Sequence, residues 1–427
     1  MPRSLEELRK KYAHITRPNE DFYININPLQ RGGVLTPEAH RVLVEYGDGY
    51  SFCDNCLKGR IETIENPPMP DFYRDLAEYL QMDRAMVTGA CRESKRLAFW
   101  VLRRMYPDRK TVVIDANAHY SSFMAIEAND LDIVEVPTTP HPENAVILDD
   151  YARVIDEVED RTGVKPIAAL LTHVDYNYGN FNDPTVVGNI CKAKDVPFVL
   201  NGAYSVGTLD LHTKEWNVDF LTGSGHKSMA ASGPIGVLGY AEKYHSILTA
   251  PSKLKGNITQ KTYPRKSFSY LGCPAVYGAP LATLMASFPD MVARTQPDAV
   301  AEESAKANFI VNQLNRIEDI YVLGKLPKVH PLTNIETPGF LKIAEKHPRK
   351  GFFLREAFMK HGIIGMAPGI SKKMKFSVYG LTWVQVKKVA EAFLSIAREN
   401  GLYVAESPIV DKKYPGSGKI GTDFDED

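Results

Sequence analysis

VDFLTGSGHKSMAASGPIGVLGY, residues 218–240, is the stretch on which the fold turns. An apolar run of strand length breaks into Ser224-Gly225-His226-Lys227, a glycine-containing loop follows, and a second apolar run, IGVLGY, closes it. A lysine at a strand exit beside small residues is positioned for Schiff-base chemistry. Taken alone such a lysine is more often a solvated charge, so its reading depends on what surrounds it.

Working outward, TVVIDA, DIVEVP, IAALLTHV, PFVLNGAY, VDFLTGS and IGVLGY alternate with helical patterns from about residue 85 onward. Strands alternating with helices predict an α/β fold, a mostly parallel sheet covered by helices on both faces. MDRAMVTGACRESKRLAFWVLRRMY passes from strand to helix at Gly89 to Arg92, and Asp183-Pro184 is a helix start of the Ncap-N1 kind. After about residue 290 the texture changes to ESAKANFIVNQLNRIEDI, two short β-rich pieces and the helical TWVQVKKVAEAFLSIAREN, which predicts a smaller α+β domain. The expected division is an N-terminal segment (1–70) carrying a cysteine pair, a large domain (71–290), a small C-terminal domain (291–405) and a polar, glycine-rich, acidic tail (406–427) without fixed structure.

At 427 residues, 44% hydrophobic and 24% charged, the chain can bury a large core. With 51 basic and 52 acidic residues it has no global field of the kind non-specific nucleic-acid binders show, so a nucleic-acid partner would be met by a local patch. No apolar run has the length of a membrane span, and MPRSLEELRKKYAHI begins as a charged amphipathic helix, not a signal peptide; a cytoplasmic protein without membrane contact is expected. Five cysteines, an odd and sparse set, argue for reduced thiols over a disulfide framework.

The 218–240 segment resembles the cofactor-lysine region of fold-type I enzymes that use pyridoxal phosphate, particularly the branch containing the cysteine desulfurases. Such enzymes place an Asp at the end of the preceding strand against the pyridine nitrogen, an aromatic residue or His over the ring, and a helix N-terminus against the cofactor phosphate. Here Asn201, in PFVLNGAYSVG, stands where the Asp is usual. An amide can hydrogen-bond the ring nitrogen but cannot hold it protonated, so the cofactor should be a weaker electron sink, suited to β-elimination of a good leaving group. His119, in TVVIDANAHYSS, is the candidate to stack on the ring, and Cys91 and Arg92, at the start of the helix after VTGA, are the candidates for the phosphate end. Ser224, Gly225 and His226 complete the cofactor-binding set around Lys227.

NINPLQRGGVLTPEAHRVLVEYGDGYSFCDNCLKGRIE (25–62), NAHYSS, LNGAYSVG, GSGHKSMAASGP, LGCP and YGLTWVQVKKVAEAF together resemble the O-phosphoseryl-tRNA:cysteinyl-tRNA synthase family of archaeal type, from about residue 20 to 405. The resemblance implies a pyridoxal phosphate-dependent transferase in tRNA-dependent cysteine biosynthesis. Phosphoserine esterified to the cysteine tRNA would lose phosphate and take up sulfur in place, with Lys227 removing the α-proton. Arg31, in the QRGG turn, is the candidate to steady the departing phosphate, with Arg265 and Lys266 as competitors. Lys375 occupies the place where desulfurase-like relatives look for an arginine that clamps a free α-carboxylate, which a tRNA ester lacks. A homodimer whose active sites use both subunits is implied as well.

Cys53 and Cys56, two residues apart, are half of a zinc site, and no second pair or His cluster completes one, so no metal ligand set is expected. If Cys273, in SYLGCPAVYGAP, joins them, three thiols would surround the electrophile. A persulfide on one could deliver sulfur from a donor and a second could resolve the bond; three thiolates could also hold an iron-sulfur cluster. Small partly buried cysteines are the alternative, and Cys91 and Cys191 fit that description better. For tRNA, the basic stretches 342–355 and 252–261 could track phosphates, and a partner, such as the synthetase that makes phosphoseryl-tRNA, could share in capture. Two other readings stay open: a cysteine desulfurase or lyase acting on a free amino acid, and a non-catalytic tRNA-binding scaffold that keeps the fold.

Overall fold

Each apolar run becomes a strand, and the reason is visible in burial. The computed structural model describes residues 4–13, 22–28, 31–47, 69–262, 278–367, 369, 371–410 and 412. Numbered along the chain, β2 (Arg84–Thr88), β3 (Thr111–Asp115), β4 (Asp132–Val136), β5 (Ala168–Thr172), β6 (Phe198–Asn201), β7 (Phe220–Ser224) and β8 (Gly236–Tyr240) form one sheet in the order β2-β8-β7-β6-β5-β3-β4. All run parallel except β8, which is antiparallel to both neighbours. Strands β3, β5, β6, β7 and β8 are buried at every position, as a sheet covered on both faces requires, and their sequences are accordingly mostly apolar, with polar residues such as Asp115, Asn201 and Ser224 at their carboxyl ends.

The covering helices follow their start signals. Asp183 caps the Pro184–Lys194 helix by accepting from Thr185 N–H, with Pro184 inside the first turn. The Cys91–Met105 helix buries Leu97, Ala98, Phe99, Val101 and Leu102 on the sheet. Each such Leu or Phe stabilises the fold by roughly 1.5–3 kcal/mol relative to exposure. Gly236 lets this helix start lie against the sheet: a Cβ there would overlap the backbone of Ala90 and Cys91.

A second sheet, β12-β10-β9, is antiparallel: β9 (Tyr321–Val322), β10 (Leu332–Glu336) and β12 (Lys373–Ser377). The helices Pro297–Leu314 and Trp383–Glu399 pack with it; Thr382 and Gln385 form a capping box at the start of the latter. The chain's beginning joins this unit, because β1 (Ile24–Asn25) pairs parallel with β11 (Ile363–Ile364) and Ile24 and Ile26 enter its apolar cluster. From there the chain turns back, and Gly32 and Gly33 lie against the helical turn that carries Lys227. Among the described residues no helix is long and apolar enough to cross a membrane.

Candidate active site

The carboxyl ends of the parallel strands gather the chemistry, where α/β sheets place their ligands. A cavity of about 650 Å³ opens there, lined by Arg92, Lys95, His119, Asn201, Ser224 and Lys227 among others. That size suits a small-molecule cofactor and a substrate group.

Lys227 sits in the one-turn helix Gly225–Ser228 that β7 runs into. Its ammonium lies 5.5 Å from the ring centroid of Tyr204. The turn is held from behind: a Cβ on Gly33 would overlap the His226 carbonyl oxygen, and one on Gly32 would press on Lys227 O, so only glycines allow the approach. Gly32 O accepts from Ala230 N over 3.1 Å and from Arg294 Nη2 over 2.9 Å, and the same guanidinium reaches Gly207 O and Ser228 O. His226 Nδ1 lies 3.2 Å from Ile235 O, pinning the loop on its other side.

Asn201 ends β6 and is buried. Its Oδ1 accepts from Ala203 N–H at 3.3 Å and from the Cys91 thiol at 3.6 Å. With the oxygen engaged by two donors, Nδ2 is the atom the amide has for a ligand. Cys91 therefore buttresses Asn201, with a second contact to Thr222 Oγ1 at 3.5 Å. Ala90, which precedes Cys91, is an N-cap without a side-chain hydrogen bond, so the helix start presents backbone N–H groups to an anion. Arg92 stands on the same turn, donating to Tyr120 Oη at 3.0 Å.

His119 caps the Tyr120–Glu127 helix through Nδ1, which accepts from Ser121 N at 3.2 Å, and its ring meets Tyr176 edge to face at 5.7 Å. Burial, and then the charges of Lys227, Lys95, Lys375 and Arg92, push its pKa down to about 3, so the imidazole is neutral. Lys227, Lys95 and Arg92, which line the cavity, make it an anion receptor.

Lys95 is a residue that the sequence reading passed over. It is 1% exposed and donates to Ser121 Oγ and Ser122 Oγ at 2.8 and 2.9 Å; burial pushes its ammonium down to about 8. A signal existed, since Lys95 stands four residues after Cys91 and so shares its inward face. Arg294, which ties the backbone behind Lys227, carried no such signal. Below the cavity, Asp115 Oδ2 accepts from Thr172 N, and burial raises its carboxyl to about 7.

Other candidates fall elsewhere. Arg31 is half-buried, donates through Nε to Tyr379 O at 2.9 Å, and is not among the residues lining the cavity. Cys191 is buried, and burial raises its thiol pKa, as expected of a packing residue. Cys53, Cys56, Cys273, Arg265 and Lys266 lie outside the described residues. Among the described residues no group of His, Cys, Asp and Glu could hold a metal ion, and nothing found supports an iron-sulfur cluster.

The cavity fits pyridoxal phosphate on its own terms. Ser224 Oγ is buried beside it with no hydrogen-bond partner among the described residues, a cost of roughly 1–3 kcal/mol that a bound oxygen would remove. A helix N-terminus and Arg92 suit a phosphate, the Asn201 amide suits a ring nitrogen, and the Lys227 amine suits an aldehyde.

Comparison with known proteins agrees with this geometry. Residues 72–325 match the family described as O-phosphoseryl-tRNA(Sec) selenium transferase, SepSecS. The chain is 47% identical to the O-phospho-L-seryl-tRNA:Cys-tRNA synthase of Methanopyrus kandleri, over 92% of this chain and 99% of that one. It is 41% identical to O-phospho-L-seryl-tRNA:Cys-tRNA synthase 2 of Archaeoglobus fulgidus, over 93% and 99%. A solved SepCysS-SepCysE N-terminal domain complex superposes with a TM-score of 0.78 at 39% identity, covering 92% of this chain and 99% of its own. A cysteine desulfurase from Thermococcus onnurineus gives 0.67 at 15% identity, over 93% and 99%, a likeness of fold alone.

Proposed function

Since the chain belongs to the O-phospho-L-seryl-tRNA:Cys-tRNA synthase family, we infer that it converts O-phosphoseryl-tRNA(Cys) to cysteinyl-tRNA(Cys) by pyridoxal phosphate-dependent elimination of phosphate and addition of sulfur. The observation that carries the reading is Lys227 at the exit of β7, facing a cavity that Asn201, His119, Arg92 and Lys95 line with it. Pyridoxal phosphate, when bound, supplies a reversible covalent link to the substrate amine and an electron sink for the pair left on Cα.

The chain's own residues do the rest. Lys227 would hold the cofactor's aldehyde carbon through Nζ, and its amine, when free, is placed to take the α-proton. Asn201 offers an N–H to the ring nitrogen without adding charge, which tempers the sink and favours departure of phosphate over exchange of the amine. His119, as a neutral imidazole, would cover the ring, and Ser224, Arg92 and the first N–H groups of the Cys91–Met105 helix would hold the cofactor phosphate. Gly225 and His226 set the backbone that aims Lys227.

Cys53, Cys56 and Cys273 are the proposed sulfur carriers: a persulfide's outer sulfur adds at the β-carbon left after elimination, giving a mixed disulfide; a neighbouring thiol attacks its protein-side sulfur, releasing the cysteinyl thiol and leaving a protein disulfide, which sulfide opens again to a persulfide and a thiol. The protein is read as a cytoplasmic homodimer of archaeal type. The solved SepCysS-SepCysE complex supports contact with an accessory protein, and the synthetase that makes phosphoseryl-tRNA is a second candidate partner.

Incubating the holoenzyme with phosphoseryl-tRNA and a sulfide source tests the reading. Release of inorganic phosphate with formation of cysteinyl-tRNA is expected, as is borohydride trapping of the cofactor on Lys227. Turnover of free cysteine alone, with none of the tRNA ester, would overturn it in favour of a desulfurase.

A further inference from the structure

The connection between β9 and β10, residues 323–331, leaves the second sheet and reaches the loops that follow β5 and β6 of the first. Three contacts seat it. Gly324 N donates to Pro142 O over 3.0 Å, Lys325 N donates to Asn180 Oδ1 over 2.7 Å, and a Cβ on Gly324, whose φ is +82°, would overlap Tyr178 O and the Asn180 amide.

Two polar side chains of this connection are buried, Lys328 at 1% and His330 at 3% exposure, and each donates to a backbone carbonyl of those loops. Lys328 Nζ bridges Tyr178 O at 2.9 Å and Leu323 O at 2.6 Å, with the buried Asp175 carboxyl as its opposing charge. Burial pushes the His330 imidazole down to about 4, so the ring is neutral. Its Nδ1 accepts from Leu332 N–H at 3.1 Å, which leaves the proton on Nε2, and Nε2 donates to Tyr204 O at 3.1 Å. The connection is also held from its other side. Lys328 N donates to Asn308 Oδ1, and Lys328 O accepts from Asn308 Nδ2 and Ser304 Oγ of the Pro297–Leu314 helix.

The two carbonyls belong to loops whose tyrosines meet in the cavity. Tyr176 and Tyr204 both line it, with ring centroids 6.0 Å apart and planes 22° from parallel. Tyr176 meets the His119 ring edge to face, and Lys227 Nζ lies over Tyr204. One aromatic wall therefore touches both the imidazole that would cover the cofactor ring and the lysine that would bind it. The link from Tyr178 back to Tyr176 is short and stiff, because the Asp175 carboxyl accepts from Tyr178 N at 2.6 Å and from Asn180 N at 3.0 Å. We propose that Lys328 and His330 are positioning residues: they wedge the Tyr176–Tyr204 wall against His119 and Lys227, so that the second sheet sets the geometry in which the cofactor ring is held. This rests on the function proposed above.

The test uses holoenzyme carrying His330→Asn, His330→Gln or Lys328→Met. Asparagine keeps an acceptor for Leu332 N–H, and with it the local turn, but cannot reach Tyr204 O; glutamine reaches as far as Nε2. Three quantities are measured: the dissociation constant for pyridoxal phosphate, the circular dichroism of the cofactor band per bound cofactor, and the nitrogen-15 shifts of His119. His330→Asn and Lys328→Met should each weaken cofactor binding roughly tenfold, as the loss of one buried hydrogen bond allows, and should change the band's ellipticity and the His119 shifts. His330→Gln should return all three towards the parent. Ellipticity per bound cofactor depends on the asymmetric surroundings of the ring, so a loss of stability alone leaves it unchanged. Parental ellipticity and His119 shifts in both His330→Asn and Lys328→Met overturn the proposal, whatever their stability. A His330→Gln variant as impaired as His330→Asn overturns it for His330, which would then be a packing residue. If His330→Asn does not fold, Lys328→Met decides by the same measurements. A parent that takes up no pyridoxal phosphate overturns the proposed function itself, and this is seen before any variant is compared.

Discussion

Lys95 Nζ donates to Ser121 Oγ over 2.8 Å, and this fixes where the hydrogens lie around His119. An ammonium has donors only, so the Ser121 hydroxyl hydrogen points to His119 Nδ1, 2.9 Å away, and the Ser121 backbone N–H points there too. The imidazole proton is thereby placed on Nε2. Nitrogen-15 spectra of histidine-labelled protein should show His119 neutral, protonated at Nε2, down to near pH 3, well below the ordinary 6.5. Because the folded value lies below the unfolded one, the unfolded chain binds the extra proton, and stability should fall as pH drops through that window. A His119 signal that titrates near 6.5 would contradict this.

Lys95 is also a buried charge whose hydrogen bonds among the described residues go to two serines and to no carboxylate. Replacing such a charge by an apolar side chain of similar length is often neutral or stabilising. Lys95→Met should therefore unfold within about 1 kcal/mol of the parent in denaturant, yet bind pyridoxal phosphate roughly tenfold more weakly, because one cation of the receptor is gone. Equal losses of both would make Lys95 a structural residue.

Asn201→Asp replaces a neutral partner of the ring nitrogen by a carboxylate, although the Cys91 thiol and Ala203 N–H remain as donors beside it. The stronger sink should raise half-transamination, measured as pyridoxamine phosphate released per turnover, by about tenfold or more, equivalent to ~1.4 kcal/mol of barrier. Phosphate release should slow relative to it.

Gly33→Ala tests the support behind Lys227, since the added methyl would overlap the His226 carbonyl oxygen. The backbone must shift, and a loss of about 1–3 kcal/mol is expected in denaturant unfolding. Retained cofactor should fall with it, because the same shift moves Lys227. An alanine variant with parental stability would mean that residues 31–33 do not bear on that turn.

Serine at Cys53, Cys56 or Cys273 should leave cofactor binding and phosphate release intact while sulfur insertion falls, read as phosphate and cysteinyl-tRNA from one reaction. Three fully active variants, supplied with the natural sulfur source, would remove these thiols from the mechanism.

How much was legible follows from the kind of information each residue carries. The strands were readable because a sheet buried on both faces leaves continuous apolar runs such as IAALLTHV, and helix starts because Asp183 and Thr382 cap locally. Lys227 and Asn201 stand at strand ends, where sequence order and spatial order coincide. Arg31 was legible only as a charge in a glycine turn, and its Nε bond to Tyr379 O is a distance that the sequence does not encode. Lys95 read as one more charge in CRESKR, and the convergence of Arg294 on Gly32, Gly207 and Ser228 depends on distances that no local pattern encodes.

The parallel pairing of Ile24 with Ile363 has a consequence in time as well as in space. A chain emerging from the ribosome makes residues 24–33 first, yet their strand partner is among the later segments to appear, and loop closure over so long a separation is slow. The seven-stranded sheet can assemble meanwhile, with the back of the Lys227 turn still open. Closure by Gly32 and Gly33 draws on Lys227, Ala230 and Arg294 and needs the chain as far as residue 294, whereas the strand that leads into them gains its partner only at residues 363–364. A product truncated before β11 would therefore carry the sheet with the segment behind Lys227 anchored at one end only.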